Sequence, residues 1–172
     1  MQREVSPLEA IETRYPEQVA VAIARDARGK CNPIAVGWIM LSALRPVMMA
    51  MSIAKTRYSV QAIRHAREYV IAFASEQQAE EVRLFGTTSG RDMDKLAVAG
   101  TKVSPARRVD SLLMDEAVSN FECRLCGEMD SGDHVIFLGE VVAAHVSDRP
   151  RDRLYLWNPG VKLRGLTRNP PQ

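Results

Sequence analysis

Pro33-Ile34-Ala35-Val36-Gly37-Trp38-Ile39-Met40-Leu41-Ser42-Ala43-Leu44-Arg45-Pro46-Val47-Met48-Met49-Ala50-Met51-Ser52-Ile53-Ala54 is the one long apolar run in the chain. It is long enough for a membrane span, but Arg45-Pro46 splits it in the middle. The stretch therefore predicts two strands, Ile34–Leu41 and Val47–Ile53, joined by a turn. Both are near-continuously apolar rather than alternating. Strands look like that when both faces are buried, or when they line a ligand or a subunit interface.

Upstream, Val19–Ala24 is a third apolar run, and Arg25–Lys30, with Asp26 and Gly29, reads as the turn after it. Downstream, Thr56–Glu68 has helical spacing at Val60 and Ile63, with Thr56 or Ser59 as its N-cap. Tyr69–Ala74 is another buried-type strand. Ser75 with Gln78 forms a capping box that opens a polar helix from Glu76 to about Phe85. Val118–Met129 and His134–Val146 are long strands separated by the hairpin turn Ser131-Gly132-Asp133. Arg153–Trp157 is a last strand or an arm on a partner, and Thr167–Gln172 reads as a frayed tail. Strands and helices do not alternate regularly, and neither a GxGxxG nor a Walker motif occurs. The pattern predicts a mainly antiparallel barrel with short helical insertions.

The 172 residues suffice for one domain with a real core. A hydrophobic content of 46%, a charged content of 26% and a net charge of +2 are ordinary. The charges are interspersed, which argues against nucleic acid as a partner. Three cysteines, an odd count, argue against a disulfide framework and for a reducing compartment. Met1–Ile11 carries no apolar signal segment, so the expectation is a cytoplasmic protein with no membrane partner.

Two stretches carry candidate chemistry. Gly86-Thr87-Thr88-Ser89-Gly90-Arg91-Asp92-Met93-Asp94-Lys95-Leu96 combines glycines, hydroxyls and cations. Ser89 with Asp92 matches a capping box, so a helix is expected to start at Ser89. This is either a capped surface helix or an anion site at a helix N-terminus. Ser52–Ser59 carries Lys55, Arg57 and several hydroxyls at a strand end, and the same two readings apply. Together the two stretches favour a phosphorylated ligand. His134 follows the hairpin turn; it is either a chance histidine or a group at a cleft mouth that positions substrate or moves a proton. His65 and His145 read as surface or strand positions. Cys123-Arg124-Leu125-Cys126 could be a redox pair or half a zinc site. No second CxxC completes it, and in a strand the two thiols point to opposite faces. No metal-ligand cluster emerges. Hard chemistry would then belong to a bound cofactor.

Four blocks now resemble a known family. They are Asn32-Pro33 with Trp38; Ser52-Ile53 followed by Arg57-Tyr58-Ser59; Gly86-Thr87-Thr88-Ser89-Gly90 with Asp94-Lys95; and Phe121-Glu122-Cys123 followed by Gly132-Asp133-His134 and Gly139-Glu140-Val141. In this order they resemble the flavin reductase-like, FMN-binding split-barrel family, which includes flavoredoxins and NAD(P)H:flavin oxidoreductases. The resemblance implies a mainly β, six-stranded antiparallel split β-barrel with short helical insertions, working as a homodimer. Residues 1–172 would be a single domain with its core at about 15–157 and a C-terminal arm at 158–172. FMN would lie near the dimer interface. Trp38, Ile39, Met40, Leu41, Ser52 and Ile53 would border the isoalloxazine. Arg57, Ser59, Ser89, Gly90 and Lys95 would hold the phosphate. His134 would lie where a nicotinamide stacks. The implied reaction passes hydride from NAD(P)H to flavin N5; the alternative is a flavoredoxin-like electron carrier. A redox protein or a monooxygenase is the implied partner. Arg45-Pro46 departs from the two prolines common in the family, and the methionines at 40, 48, 49 and 51 read as core or interface filler.

Overall fold

The run from Pro33 to Ala54, read above as two strands, folds as three. In the computed structural model, which describes residues 2–158 and 163–166, helix α1 (Pro7–Ile11) leads into β1 (Glu17–Gln18), β2 (Ala20–Arg25), β3 (Cys31–Val36), β4 (Ile39–Leu44) and β5 (Val47–Ala54). Then come α2 (Tyr58–Ala66), β6 (Glu68–Phe73), α3 (Ala79–Thr87), α4 (Lys95–Ala99), β7 (Val103–Pro105) and β8 (Leu112–Met114). The long hairpin β9 (Ser119–Ser131) and β10 (His134–Val146) is followed by β11 (Arg153–Leu156) and β12 (Leu163–Leu166). The expected tail from Thr167 lies outside the described residues.

The main sheet is antiparallel and has seven strands rather than six, in the order β3-β2-β6-β9-β10-β5-β4. The extra strand arises at Gly37-Trp38, where the expected single strand bends. Trp38 O accepts the Ser52 N–H at 2.8 Å, which ties the bend to β5. Strands β3 and β4 occupy opposite edges of the sheet, yet they are neighbours in the chain. Laid flat, seven strands would set those edges about 29 Å apart. The step from Val36 to Ile39 spans at most about 11 Å. The sheet is therefore rolled until its edges approach. Register shifts between β9 and β10, at Leu138/Gly139 and Val141/Ala143, are the bends that such rolling needs.

Strand β2 shows why its run is continuously apolar. Ala20, Ala22 and Ala24 face one core with Ile34, Met51, Ile63, Tyr69, Ile71 and Phe137. Val19, Val21 and Ile23 face a second core with Val82, Phe85, Met114 and Leu154. Burying each such large side chain contributes about 1.5–3 kcal/mol. Edge strand β4 differs: Met40, Leu41 and Leu44 are exposed. Burial on both faces is thus excluded for β4, leaving the ligand and interface readings of its apolar character. A small second sheet, β1-β11-β12, brings Glu17 of β1 opposite Leu156 of β11. No helix among the described residues is long and apolar enough to cross a membrane.

Two helix expectations shift. Helix α2 begins at Tyr58 with Arg57 at the N-cap, and neither Thr56 nor Ser59 caps it. The capping box at Ser75–Gln78 holds, since Gln78 Oε1 accepts the Ser75 N–H at 3.2 Å. It opens a short 3-10 turn, and α3 then runs on to Thr87.

Candidate functional site

The site is anchored by a turn. Asp26 is 2% exposed. It accepts the backbone N–H groups of Arg28 and Lys30 at 2.9 Å each, the Tyr58 hydroxyl at 2.9 Å and the Arg28 guanidinium at 3.2 Å. Burial pushes its carboxyl up, but these hydrogen bonds outweigh burial and hold it below its ordinary value. Arg28 Nη2 donates in turn to Gly90 O at 3.0 Å, so this turn fixes the Gly86–Leu96 loop. Gly90 lies directly against Asn32: a Cβ there would collide with Asn32 Oδ1. Asn32 Nδ2 donates to Ser59 Oγ at 2.8 Å, and its buried Oδ1 has no partner.

Ser89 does not start a helix. Its hydroxyl accepts the Arg91 N–H at 3.2 Å, a local turn. Asp94 caps α4 instead, accepting the Ala97 N–H at 3.2 Å. The loop follows the C-terminal end of α3, so helix N-terminal charge does not make it an anion site. Its cationic side chains remain as the charge at this wall. Lys95 is 3% exposed, and Nζ donates to Phe85 O at 3.2 Å. An ammonium has three donors. Burial, then the nearby Arg57 charge, lowers its pKa to about 8. Arg57 makes no ion pair among the described residues, and Arg91 lies 5.1 Å over the Tyr58 ring. Lys95, Arg57, Arg91, Gly90, Ser89 and Ser59 share the walls of a cavity of about 450 Å³.

Ile34 and Arg57 also border a second hollow of about 190 Å³, so the two adjoin along these side chains. Trp38, Ser52, Ile53 and His134 line it. The Gly132-Asp133 turn delivers His134 to the start of β10, opposite Ala54. Its ring stacks on Trp38 with centroids 4.6 Å apart and a 32° tilt. Its Nδ1 lies 2.7 Å from Asp133 Oδ1, a contact that holds the Asp133 carboxyl below its ordinary value. The two adjoining hollows thus form a cleft with a cationic end and an end walled by the Trp38–His134 stack.

The β4 segment divides. Trp38 enters the aromatic end. Ile39 is mostly core, and Met40 borders an adjoining apolar hollow of about 280 Å³ with Trp38, Ala50 and Met51. Leu41 borders neither and is 56% exposed, beside the register shift between Leu41 and Ala43. The sequence placed Tyr58 and Arg91 within the quoted stretches without an individual role for either, and it gave the Asn32 side chain none. Nor did it mark Glu17, which no motif contains. Cys123 is buried and Cys126, at the register shift between β9 and β10, is exposed; both are free thiols. Burial pushes the Cys123 thiol up to about 12, so it is not a reactive thiolate. His145 is paired, with Nε2 2.6 Å from the buried Glu122 carboxylate.

Residues 13–163 match the family described as the flavin reductase like domain. An uncharacterized protein of Pyrococcus abyssi (strain GE5 / Orsay) is 29% identical over 136 residues, 79% of this chain and 77% of its own. An NADH-dependent FMN reductase of Streptomyces nodosus subsp. asukaensis is 27% identical over 138 residues, 77% of this chain and 70% of its own. Flavoredoxin from Methanosarcina acetivorans has a similar fold, with a TM-score of 0.86 at 20% identity, covering 100% of this chain and 95% of that one. The large antiparallel sheet with few short helices is thus a flavoredoxin-like fold. With a family match over most of its length, this chain belongs to the flavin reductase like domain family.

Proposed function

We propose that the chain is an FMN-binding oxidoreductase that takes electrons from NAD(P)H. The observation that carries this reading is a buried ammonium with one acceptor among the described residues, in a hollow that adjoins an aromatic slot. The cationic end suits a phosphate monoester. Lys95 has donors to spare, Arg57 has no ion pair among the described residues, and Gly90 leaves backbone bare for close approach. Ser89 and Ser59 add hydroxyls, with Ser59 oriented by Asn32. The other end, between Ile34, Trp38, Ser52, Ile53 and His134, suits a flat ring. FMN bound there supplies a hydride acceptor at N5. The chain binds the phosphate, orients the ring and excludes water from its face.

His134 stacked on Trp38 supports a second planar ring, such as nicotinamide, as the partner at that wall. The NADH-dependent relative supports the same donor. Ile39 holds β4 to the core, and Met40 flanks the ring end from the next hollow. Leu41 does not border the cleft and is better assigned to an interface. Exposed Trp38, Met40, Leu41, Leu44 and Val47 on the β4–β5 hairpin support a homodimer of split barrels with the flavin near the contact. A redox protein or monooxygenase would take the electrons onward.

The test is direct. The purified protein is inspected for a yellow chromophore, or loaded with FMN, and NADH or NADPH is added without oxygen. Rapid bleaching is the expected result. A bound flavin that ignores both donors overturns the reductase reading in favour of an electron carrier. A colourless protein that takes up no FMN overturns both.

A further inference from the structure

Among the described residues, Glu17 is the carboxylate that lines the aromatic end of the cleft. It comes from β1 of the small sheet, paired with Leu156, which lines the same wall. Its side chain is 14% exposed and is held from behind by a fork of Arg14, with Nε to Oε2 at 2.7 Å and Nη2 to Oε1 at 3.1 Å. Arg14 is itself fixed. It donates to Ile11 O at 3.0 Å and to the Tyr15 hydroxyl at 2.8 Å, and lies 4.4 Å over the Tyr15 ring. On its other side the Glu17 carboxylate rests on Gly37. A Cβ at Gly37 would stand 2.9 Å from Oε1, so any side chain at 37 would push the carboxylate aside. Glu17 lines the cleft and Arg14 does not. The ion pair is therefore oriented, with its negative member towards the ring end.

Shielding a charge from water costs stability unless it is well partnered, and a two-residue strand needs no carboxylate to form. We propose that Glu17, positioned by Arg14 and Gly37, is a tuning residue that lowers the reduction potential of the flavin bound in the cleft. The inference rests on the flavin reading above. Reduction places additional negative charge on the ring, and a fixed carboxylate beside it disfavours that charge, most strongly where water is excluded. Among the described residues, the other ionisable side chains lining this end are Arg57 and His134, whose Nδ1 contacts the exposed Asp133 carboxylate. Arg57 pulls the potential up, so Glu17 decides whether the ring yields electrons readily.

The experiment measures the midpoint potential of the FMN-loaded protein by equilibration with reference dyes. Glu17→Gln keeps the side-chain shape and removes the charge. It should strengthen binding of reduced over oxidised FMN by about tenfold, a rise of about 30 mV for a two-electron couple. Arg14→Ala leaves the carboxylate unneutralised and should lower the potential. Glu17→Asp keeps the charge and should stay near the parent value. Loosening of the fold would move Glu17→Gln and Arg14→Ala in the same direction, so opposite signs identify the electrostatic role. An unchanged or lower potential in Glu17→Gln, with FMN still bound, overturns the inference and leaves the flavin reading standing. Failure of the parent chain to take up FMN overturns that reading, and the inference with it.

Discussion

Replacing Lys95 with methionine should stabilise the flavin-free protein while weakening its hold on FMN. The side chain is 3% exposed, with a single protein acceptor, Phe85 O. Burial lowers its pKa from an ordinary 10.5 to about 8. The unfolded chain therefore holds this proton more tightly than the folded one. Folding is penalised by about 3 kcal/mol at pH values below 8, and the penalty fades as pH rises towards 10.5. Methionine has similar reach and no charge, so Lys95→Met should recover up to about 3 kcal/mol at neutral pH. For a chain of this size that raises Tm by about 6–12 °C. The same change removes a charge-assisted bond to the phosphate worth about 1.5–3 kcal/mol, raising the Kd for FMN by about 10- to 150-fold. Riboflavin, which lacks the phosphate, should bind both proteins equally. In the parent protein FMN affinity should be full below about pH 8 and fall as pH rises, because phosphate binding raises the Lys95 pKa. The variant should lack that alkaline decline. Fluorescence-quenching titrations with the two flavins, and thermal melts without flavin, measure all of this. A variant that melts lower and binds FMN as tightly as the parent would refute the reasoning. So would an equal loss of FMN and riboflavin.

Gly90→Ala should displace Asn32, break its bond to Ser59 and cost about 1–3 kcal/mol of stability, with at least a tenfold loss of FMN affinity in titration. His134→Asn should slow reduction by NAD(P)H about tenfold or more in stopped-flow, with FMN affinity within about threefold of the parent, because its ring faces the slot and not the phosphate end. Glu122 is fully buried and accepts the N–H groups of Arg107, Arg108 and Val109 as well as the His145 contact. Burial alone would raise its carboxyl, but the Arg107 N–H, His145 and the Arg108 N–H together leave it below its ordinary 4.5. Its stabilisation should be full above pH 4.5 and lost as pH falls through the lowered value. Glu122→Ala should cost about 3 kcal/mol in urea unfolding at neutral pH, and the difference from the parent should shrink in acid.

Much of the fold was legible because the signals are local. The hairpin turn at Gly132-Asp133, the apolar runs of β2, β5 and β6, and the Ser75–Gln78 capping box each depend on residues a few positions apart. The capping box expected at Ser89 failed for the converse reason. Two cap candidates lie within one loop, Ser89 and Asp94, and the choice was made by Arg28, distant in sequence, which holds Gly90 O and fixes the loop as a turn.

The sequence by itself determined that strands dominate, that Arg45-Pro46 reverses the chain, and that cations and hydroxyls gather at Ser52–Ser59 and Gly86–Leu96. Strand period, turn chemistry and charge are all written along the chain. Only the tertiary structure decided that Gly37-Trp38 splits one apolar run between two sheet edges, that Leu41 turns outward, and that Glu17 joins His134 and Trp38 at one end of the cleft. The site draws on β4, β5 and β10 of the main sheet and on β1 of the small one, an arrangement of distant strands that no short window of sequence contains.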